Sequence, residues 1–312
     1  MTLPVVDVAA VSPSDLVAAL HEHGAILAVD PAVAATTCDT MLRDTAAFFA
    51  LPDAAKEALA IERSPCFRGY SRMHGERDWR EQMHFGRERD PTAGDGEAFR
   101  RLQGPNARPA DVAWRRRVLA YCEAVEQVGV RLLAKVAAAF GLAADPWLGV
   151  DPYLLAKCIG YHPQVAANTP RRGVAAHLDF SLVTLTLQDD VGGLETRWPD
   201  GTWSPVPAVR GGWLVNIGEL LQFVTGNRLV ATPHRVVNPS TTRTRFSVPV
   251  FVNPSLDTVL LRREPPVAFV PPVGEHVHAV LGPAATADSL HFGRAEWARK
   301  GRGVWCAQCV AG

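Results

Sequence analysis

From residue 152 onward the chain breaks into short β-type runs with no helix-length segment between them. "YLLAKCIGYHP", "SLVTLTLQ", "LETRW", "GGWLVNIG", "RLVATPHRVV", "RFSVPVFVN" and "TVLLRRE" are separated by Gly, Pro, Asn and Asp turns. Strands this close together pair antiparallel, because a parallel crossover needs a helix or its equivalent in length. The spacing therefore argues for an antiparallel sandwich or jelly roll and against a doubly wound sheet. The expected class is mixed α+β, mainly β, with a double-stranded β-helix core and N-terminal supporting helices. No repeat or linker interrupts the 312 residues, so one domain is expected: a helical and strand part over 1–150, the core with its site over 151–256, and a C-terminal strand and helix over 257–312.

The N-terminal part reads element by element. "LPVVDVAAV" is a strand, Ser12 and Pro13 form an N-cap and first helical position, Gly24 stops that helix, and "AILAV" follows as a strand. "AATTCDTMLRDTAAFFALP" is a second helix ending near Pro52, and residues 62–110 read as loops with short strands. The longest helix runs from about Asp111 to Phe140, closed by Gly141, with Val118, Cys122, Val125, Leu132, Val136 and Phe140 as its apolar stripe. "SLHFGRAEWARK" reads as a late helix. Lys+Arg and Asp+Glu both number 32, which argues against a nucleic-acid or anionic-membrane partner. The start carries no signal-peptide pattern, no run reaches the roughly 20 apolar residues of a membrane span, and six scattered cysteines suit a reducing cytoplasm. Cys306 and Cys309 form a lone CxxC, read as two tail thiols.

The chemistry is concentrated in "VAAHLDFSLVTL", residues 174–185. If this is one strand, His177 and Asp179 share a face, and a carboxylate buried there needs a cation or a metal. His234 in "ATPHRVV" offers a third ligand, and two imidazoles with one carboxylate make the facial triad of non-haem Fe(II) oxygenases. In "RTRFSVPVF", Arg245 and Ser247 fall on one face with Phe246 on the other, so a guanidinium fork and a hydroxyl form a clamp for a buried carboxylate. The pairs His21–His23 and His276–His278 lack such partners and read as solvated or packed. His84 in "EQMHFG" is equally readable as a site residue or a core histidine.

The stretch from Tyr161 to Pro254 resembles the 2-oxoglutarate-dependent oxygenases of the isopenicillin N synthase-like superfamily, on its HxD, distal His and RxS in that order. The likeness extends loosely to "LPVVDVAAV" and "FFALPDAAKEAL", and "HLDFSLVTL" leans toward bacterial enzymes such as the cephalosporin ring-expanding oxygenases. The resemblance implies that His177, Asp179 and His234 bind Fe(II), and that Arg245 and Ser247 hold the distal carboxylate of 2-oxoglutarate. O2 is then the second co-substrate, and the products are succinate, CO2 and an oxidised C–H bond. Where the family has Tyr before Pro, this chain has His162, with Tyr161 one place earlier, so either side chain is a candidate contact for the co-substrate. By the same resemblance "FRGYSRMHGERDWREQMHFG" crosses the mouth of the barrel, making Arg72, His74 and Trp79 candidate substrate contacts for a small polar molecule such as an amino acid or natural-product intermediate. Three alternatives remain: an isopenicillin N synthase-type oxidase without 2-oxoglutarate, a non-oxidative metal jelly roll, and an inert binding barrel.

Overall fold

The computed structural model describes residues 2–75, 78–90, 96–164, 173–198, 200–263 and 288–302. The Cys306–Cys309 and His276–His278 pairs, and the 76–77 tip of the expected substrate loop, lie outside the described residues.

The N-terminal part forms β1 (Val5–Asp7), α1 (Pro13–His23), β2 (Ala25–Val29), α2 (Ala35–Phe49), α3 (Asp53–Glu57), β3 (Gly69–His74), β4 (Trp79–Gly86), α4 (Val112–Ala139) and α5 (Asp145–Leu148). Ser12 caps α1 as its sequence predicts, with Oγ accepting from the Asp15 amide at 3.1 Å, a contact typically worth about 1 kcal/mol. Gly24 ends the helix in the left-handed region, φ 70°, where a side chain would be strained. On α4 the stripe Val118, Cys122, Val125, Leu132 and Val136 is buried against the sheet, and Phe140, at the cap, is only partly covered. The one-turn helix α3 follows directly after Pro52, between the expected second helix and the expected loop region. It brings Lys56 under the sheet, where its ammonium lies 3.1 Å from Glu81.

The second half supplies β5 (Leu154–Tyr161), β6 (Val174–His177), β7 (Val183–Gln188), β8 (Leu194–Arg197), β9 (Trp203–Pro205), β10 (Gly212–Ile217), α6 (Glu219–Val224), β11 (His234–Val236), β12 (Arg245–Val252), β13 (Val259–Leu261), β14 (Ser289–His291) and α7 (Phe292–Arg302). A major sheet has the order β1-β2-β10-β7-β12-β5-β4-β3, and a minor sheet the order β6-β11-β8-β9. All their pairings are antiparallel except β1 with β2. This is the mainly β class expected, with α1, α2 and α4 backing the major sheet through the large core cluster.

Two local readings are corrected. The run 174–185 is two strands in different sheets: β6 ends at His177 in the minor sheet, and β7 begins at Val183 in the major one. Asp179 therefore sits on the crossover between the sheets. The late helix is likewise shorter than its pattern, because Ser289–His291 pairs with β13 before α7 starts.

Candidate metal centre and active-site cavity

The crossover geometry assembles the three candidate ligands. His177 and His234 are direct partners in the β6–β11 ladder, and opposed residues project from one face. Their ring centres are 4.2 Å apart. Asp179 is turned between them by the crossover, with Oδ1 3.6 Å from His177 Nε2 and Oδ2 3.7 Å from His234 Nε2. These gaps are too long for hydrogen bonds, yet short enough for one ion with ligand distances of about 2.1 Å. Among the described residues this is the one group of three or more His, Cys, Asp or Glu side chains arranged to hold a metal.

The surroundings fix both orientation and charge. Each histidine donates its Nδ1–H to a carbonyl two residues back, His177 to Ala175 at 2.9 Å and His234 to Thr232 at 3.1 Å, which leaves both Nε2 lone pairs facing Asp179. Burial, then the neighbouring His234, pulls the His177 imidazole down to about 3. Burial works against the Asp179 carboxylate, but the two imidazoles and the Asn216 amide, donating to Oδ2 at 3.0 Å, outweigh it and hold its pKa at about 2. A neutral imidazole and an ionised carboxylate are the forms that bind a metal.

The same cavity, about 340 Å³, is lined by Arg245, Ser247 and Tyr161. Arg245 is fully buried on β12. Its Nε donates to the Gly192 carbonyl at 2.7 Å, its Nη2 to Gln188 Oε1 at 2.8 Å, and the guanidinium lies 4.9 Å from the centre of the Tyr161 ring. Gly193, at φ 86°, makes that turn possible: a β-carbon there would overlap the Val237 carbonyl. Arg245 Nη1 is left buried without a hydrogen-bond partner, and among the described residues no carboxylate pairs with this guanidinium. A buried cation in that state is expensive unless a ligand completes it. Ser247 Oγ donates to Tyr161 Oη at 3.4 Å beside it. The donor set thus fits both an Fe(II) ion and the dicarboxylate co-substrate.

The structure does not bring every expected residue here. Tyr161 pairs with Arg245 across the β5–β12 ladder and faces the cavity, so the next residue, His162, faces the other way. His162 packs edge-on to His74 at 5.6 Å and Trp79 at 5.7 Å. With Arg72 these residues line a separate space of about 600 Å³ between the major sheet and α2–α3. Arg72 is occupied there, bonding to Asp53 at 2.6 Å and to Glu81 at 2.8 Å. On β4 it is Arg80, one residue beyond Trp79, that faces the metal cavity. His84 is a buried core histidine that burial keeps neutral. At the end of β14 His291 packs on Phe99, and on α7 Trp297 packs on Phe67, whereas Glu296 and Arg299 of α7 reach the cavity. Asn216, Gln188 and Lys157 were not singled out from the sequence. For Asn216 the signal was present, as the one amide in the apolar run "GGWLVNIG".

Comparison with known proteins agrees with this geometry. The profile of the 2OG-Fe(II) oxygenase superfamily matches residues 151–254, and that of the N-terminal region of the non-haem dioxygenases in morphine synthesis matches residues 3–111. A 2-oxoglutarate-dependent dioxygenase of Gibberella zeae is 30% identical over 296 residues, covering 83% of this chain and 78% of the relative. A solved 2OG-Fe(II) oxygenase family protein of Caulobacter crescentus superposes with a TM-score of 0.75 at 26% identity, over 95% of this chain and 97% of that one. A full-length Neurospora crassa protein, solved in complex with alpha-KG, shares the fold with a TM-score of 0.76 at 20% identity, over 95% of each chain.

Proposed function

Because the chain belongs to the 2OG-Fe(II) oxygenase superfamily and is a 2-oxoglutarate-dependent dioxygenase, we propose that His177, Asp179 and His234 hold its Fe(II) and that Arg245, with Ser247 and Tyr161, holds the far carboxylate of 2-oxoglutarate. The observation that carries this assignment is the buried Arg245 guanidinium, without a carboxylate partner among the described residues, lining the cavity that also contains the triad. Bound Fe(II) supplies the oxidising chemistry, in which O2 converts 2-oxoglutarate to succinate and CO2 and a substrate C–H bond is oxidised.

The protein residues contribute binding and orientation. Asn216 sets the carboxylate plane of Asp179, the two backbone carbonyls set the imidazoles, and Gln188 with Gly192 aims the Arg245 fork. The Tyr161 hydroxyl replaces the expected His162 contact, because it alone of the pair lines the cavity. A space of about 340 Å³ lies at the small end of ligand pockets and suits a co-substrate plus a small molecule, not a polymer. No helix among the described residues is long and apolar enough to cross a membrane. We place the protein in the cytoplasm as one catalytic domain, a reading supported by the free thiols of Cys38, Cys66, Cys122 and Cys158.

Anaerobic binding tests the assignment directly. The parent should bind one Fe(II) and one 2-oxoglutarate per chain. Asp179→Ala should lose the metal, and Arg245→Leu should lose the co-substrate while keeping the metal. An Arg245→Leu protein that binds 2-oxoglutarate like the parent would move the clamp elsewhere. A parent that binds iron but no 2-oxoglutarate would favour the oxidase alternative.

A further inference from the structure

Lys157 lies on β5 between Leu155 and Ile159 in the cavity-facing register, and all three line the metal cavity. Its Nζ is 5.2 Å from the centre of the Phe251 ring, and among the described residues the ammonium has no hydrogen-bond or ion-pair partner. The other charges on that wall are matched. Arg299 bonds to Glu296 at 2.8 Å, Arg80 reaches Asp78 at 3.1 Å, Asp179 faces the two imidazoles, and Arg245 is assigned to 2-oxoglutarate. Among the described residues the Nε of Arg80 has no hydrogen-bond partner.

Among the described residues Lys157 is therefore an unmatched cation, with Arg80, Lys300 and Arg299 near it. Burial first, then Arg80, Lys300 and Arg299, pulls its pKa down to about 7. Its neighbours on the same strand face are Leu155 and Ile159, so a methionine would cover the same surface without that cost. Packing alone does not call for a lysine at this position. A ligand that brings a negative charge does.

We infer that the primary substrate carries a carboxylate, received inside the metal cavity by Lys157, with Arg80 as a second cation lining the same cavity. The ammonium supplies up to three donors to a carboxylate, and the nearby guanidinium adds positive potential. The inference rests on the proposed function, since it assigns Arg245 to the co-substrate and leaves Lys157 for the substrate.

The test uses full-length protein loaded with Zn(II), a redox-inert stand-in for iron, and saturated with 2-oxoglutarate so that Arg245 is already engaged. Matched pairs of small carboxylic acids and their primary amides (N-acetyl amino acids, aryl acetates and aliphatic hydroxy acids) are screened by ligand-observed NMR. Acids should bind at least tenfold more tightly than their amides. That preference should fall at least tenfold in Lys157→Met and survive in Lys157→Arg. Acids and amides binding equally, no acid binding at millimolar concentration, or an undiminished preference in Lys157→Met would each overturn the inference. Binding of 2-oxoglutarate is followed in the same samples. Its absence from the parent strikes the proposed function instead, while the acid-to-amide ratio still reports on Lys157.

Discussion

Replacing Arg245 by Leu removes the buried cation that the far carboxylate of 2-oxoglutarate would meet. Two of its donors are committed, to Gly192 and Gln188, at 2.7 and 2.8 Å, so the fork is held in place before the ligand arrives and little ordering is lost on binding. Truncating one member of a buried, hydrogen-bonded charge pair costs about 2–5 kcal/mol. At about 1.4 kcal/mol per decade, the Kd for 2-oxoglutarate should rise roughly 30- to 4000-fold. The upper half is expected, because Arg245 is fully buried and its Nη1 has no other partner among the described residues. The variant also strands the Gly192 carbonyl and Gln188 Oε1, so stability should fall by about 1–3 kcal/mol as well. Anaerobic calorimetric titration of 2-oxoglutarate into the Fe(II) protein reads the affinity, and urea unfolding reads the stability. A Kd within threefold of the parent, with the protein folded, would refute the reasoning.

Further outcomes follow from the same geometry. Asn216→Ala should weaken Fe(II) binding about 10- to 100-fold by freeing the Asp179 carboxylate, measured by anaerobic metal competition. Glu81→Ala should cost about 3 kcal/mol in urea unfolding, the low end for a broken buried pair because Asp53 remains 3.2 Å from Lys56, with Fe(II) affinity unchanged. Glu126 on α4 is pushed up to about 7 by burial, against the pull of Arg87. Between its ordinary value of 4.5 and about 7 the folded state therefore holds a proton that the unfolded chain has released, and stability falls as pH rises through that window. Glu126→Gln should remove that loss, so its stability relative to the parent should improve from pH 5 to pH 7.5. An equal difference at both pH values would contradict the shift.

How far the sequence could be read depended on whether the signal was local. Strand alternation places Arg245 and Ser247 inward and Phe246 outward, and the structure has Phe246 stacked on Phe49 at 6.2 Å, beyond the sheet. Capping at Ser12 and Gly24 needed only neighbouring residues. The crossover at Asp179 was hidden because apolar residues continue on both sides of His177 and Asp179 through 174–185 with no turn residue between them, and such a run does not reveal where a strand changes sheet. Arg72, His74 and Trp79 line a space separate from the metal cavity for a related reason. The face a strand residue takes depends on register, and a shift of one residue exchanges Trp79 for Arg80 and His162 for Tyr161. The Lys56–Glu81–Arg72 network needed α3, a single turn too short to show a helical period.

The central claim is that His177, Asp179 and His234 make this cavity a 2-oxoglutarate-consuming centre, and turnover without any primary substrate tests it most directly. Purified protein with Fe(II), O2 and 1-[14C]-2-oxoglutarate should release labelled CO2 and succinate in a one-to-one ratio. Release should stop when iron is withheld and in each of His177→Ala, Asp179→Ala and His234→Ala. Iron-independent release, or release at the parent's rate from any of the three variants, would contradict the account.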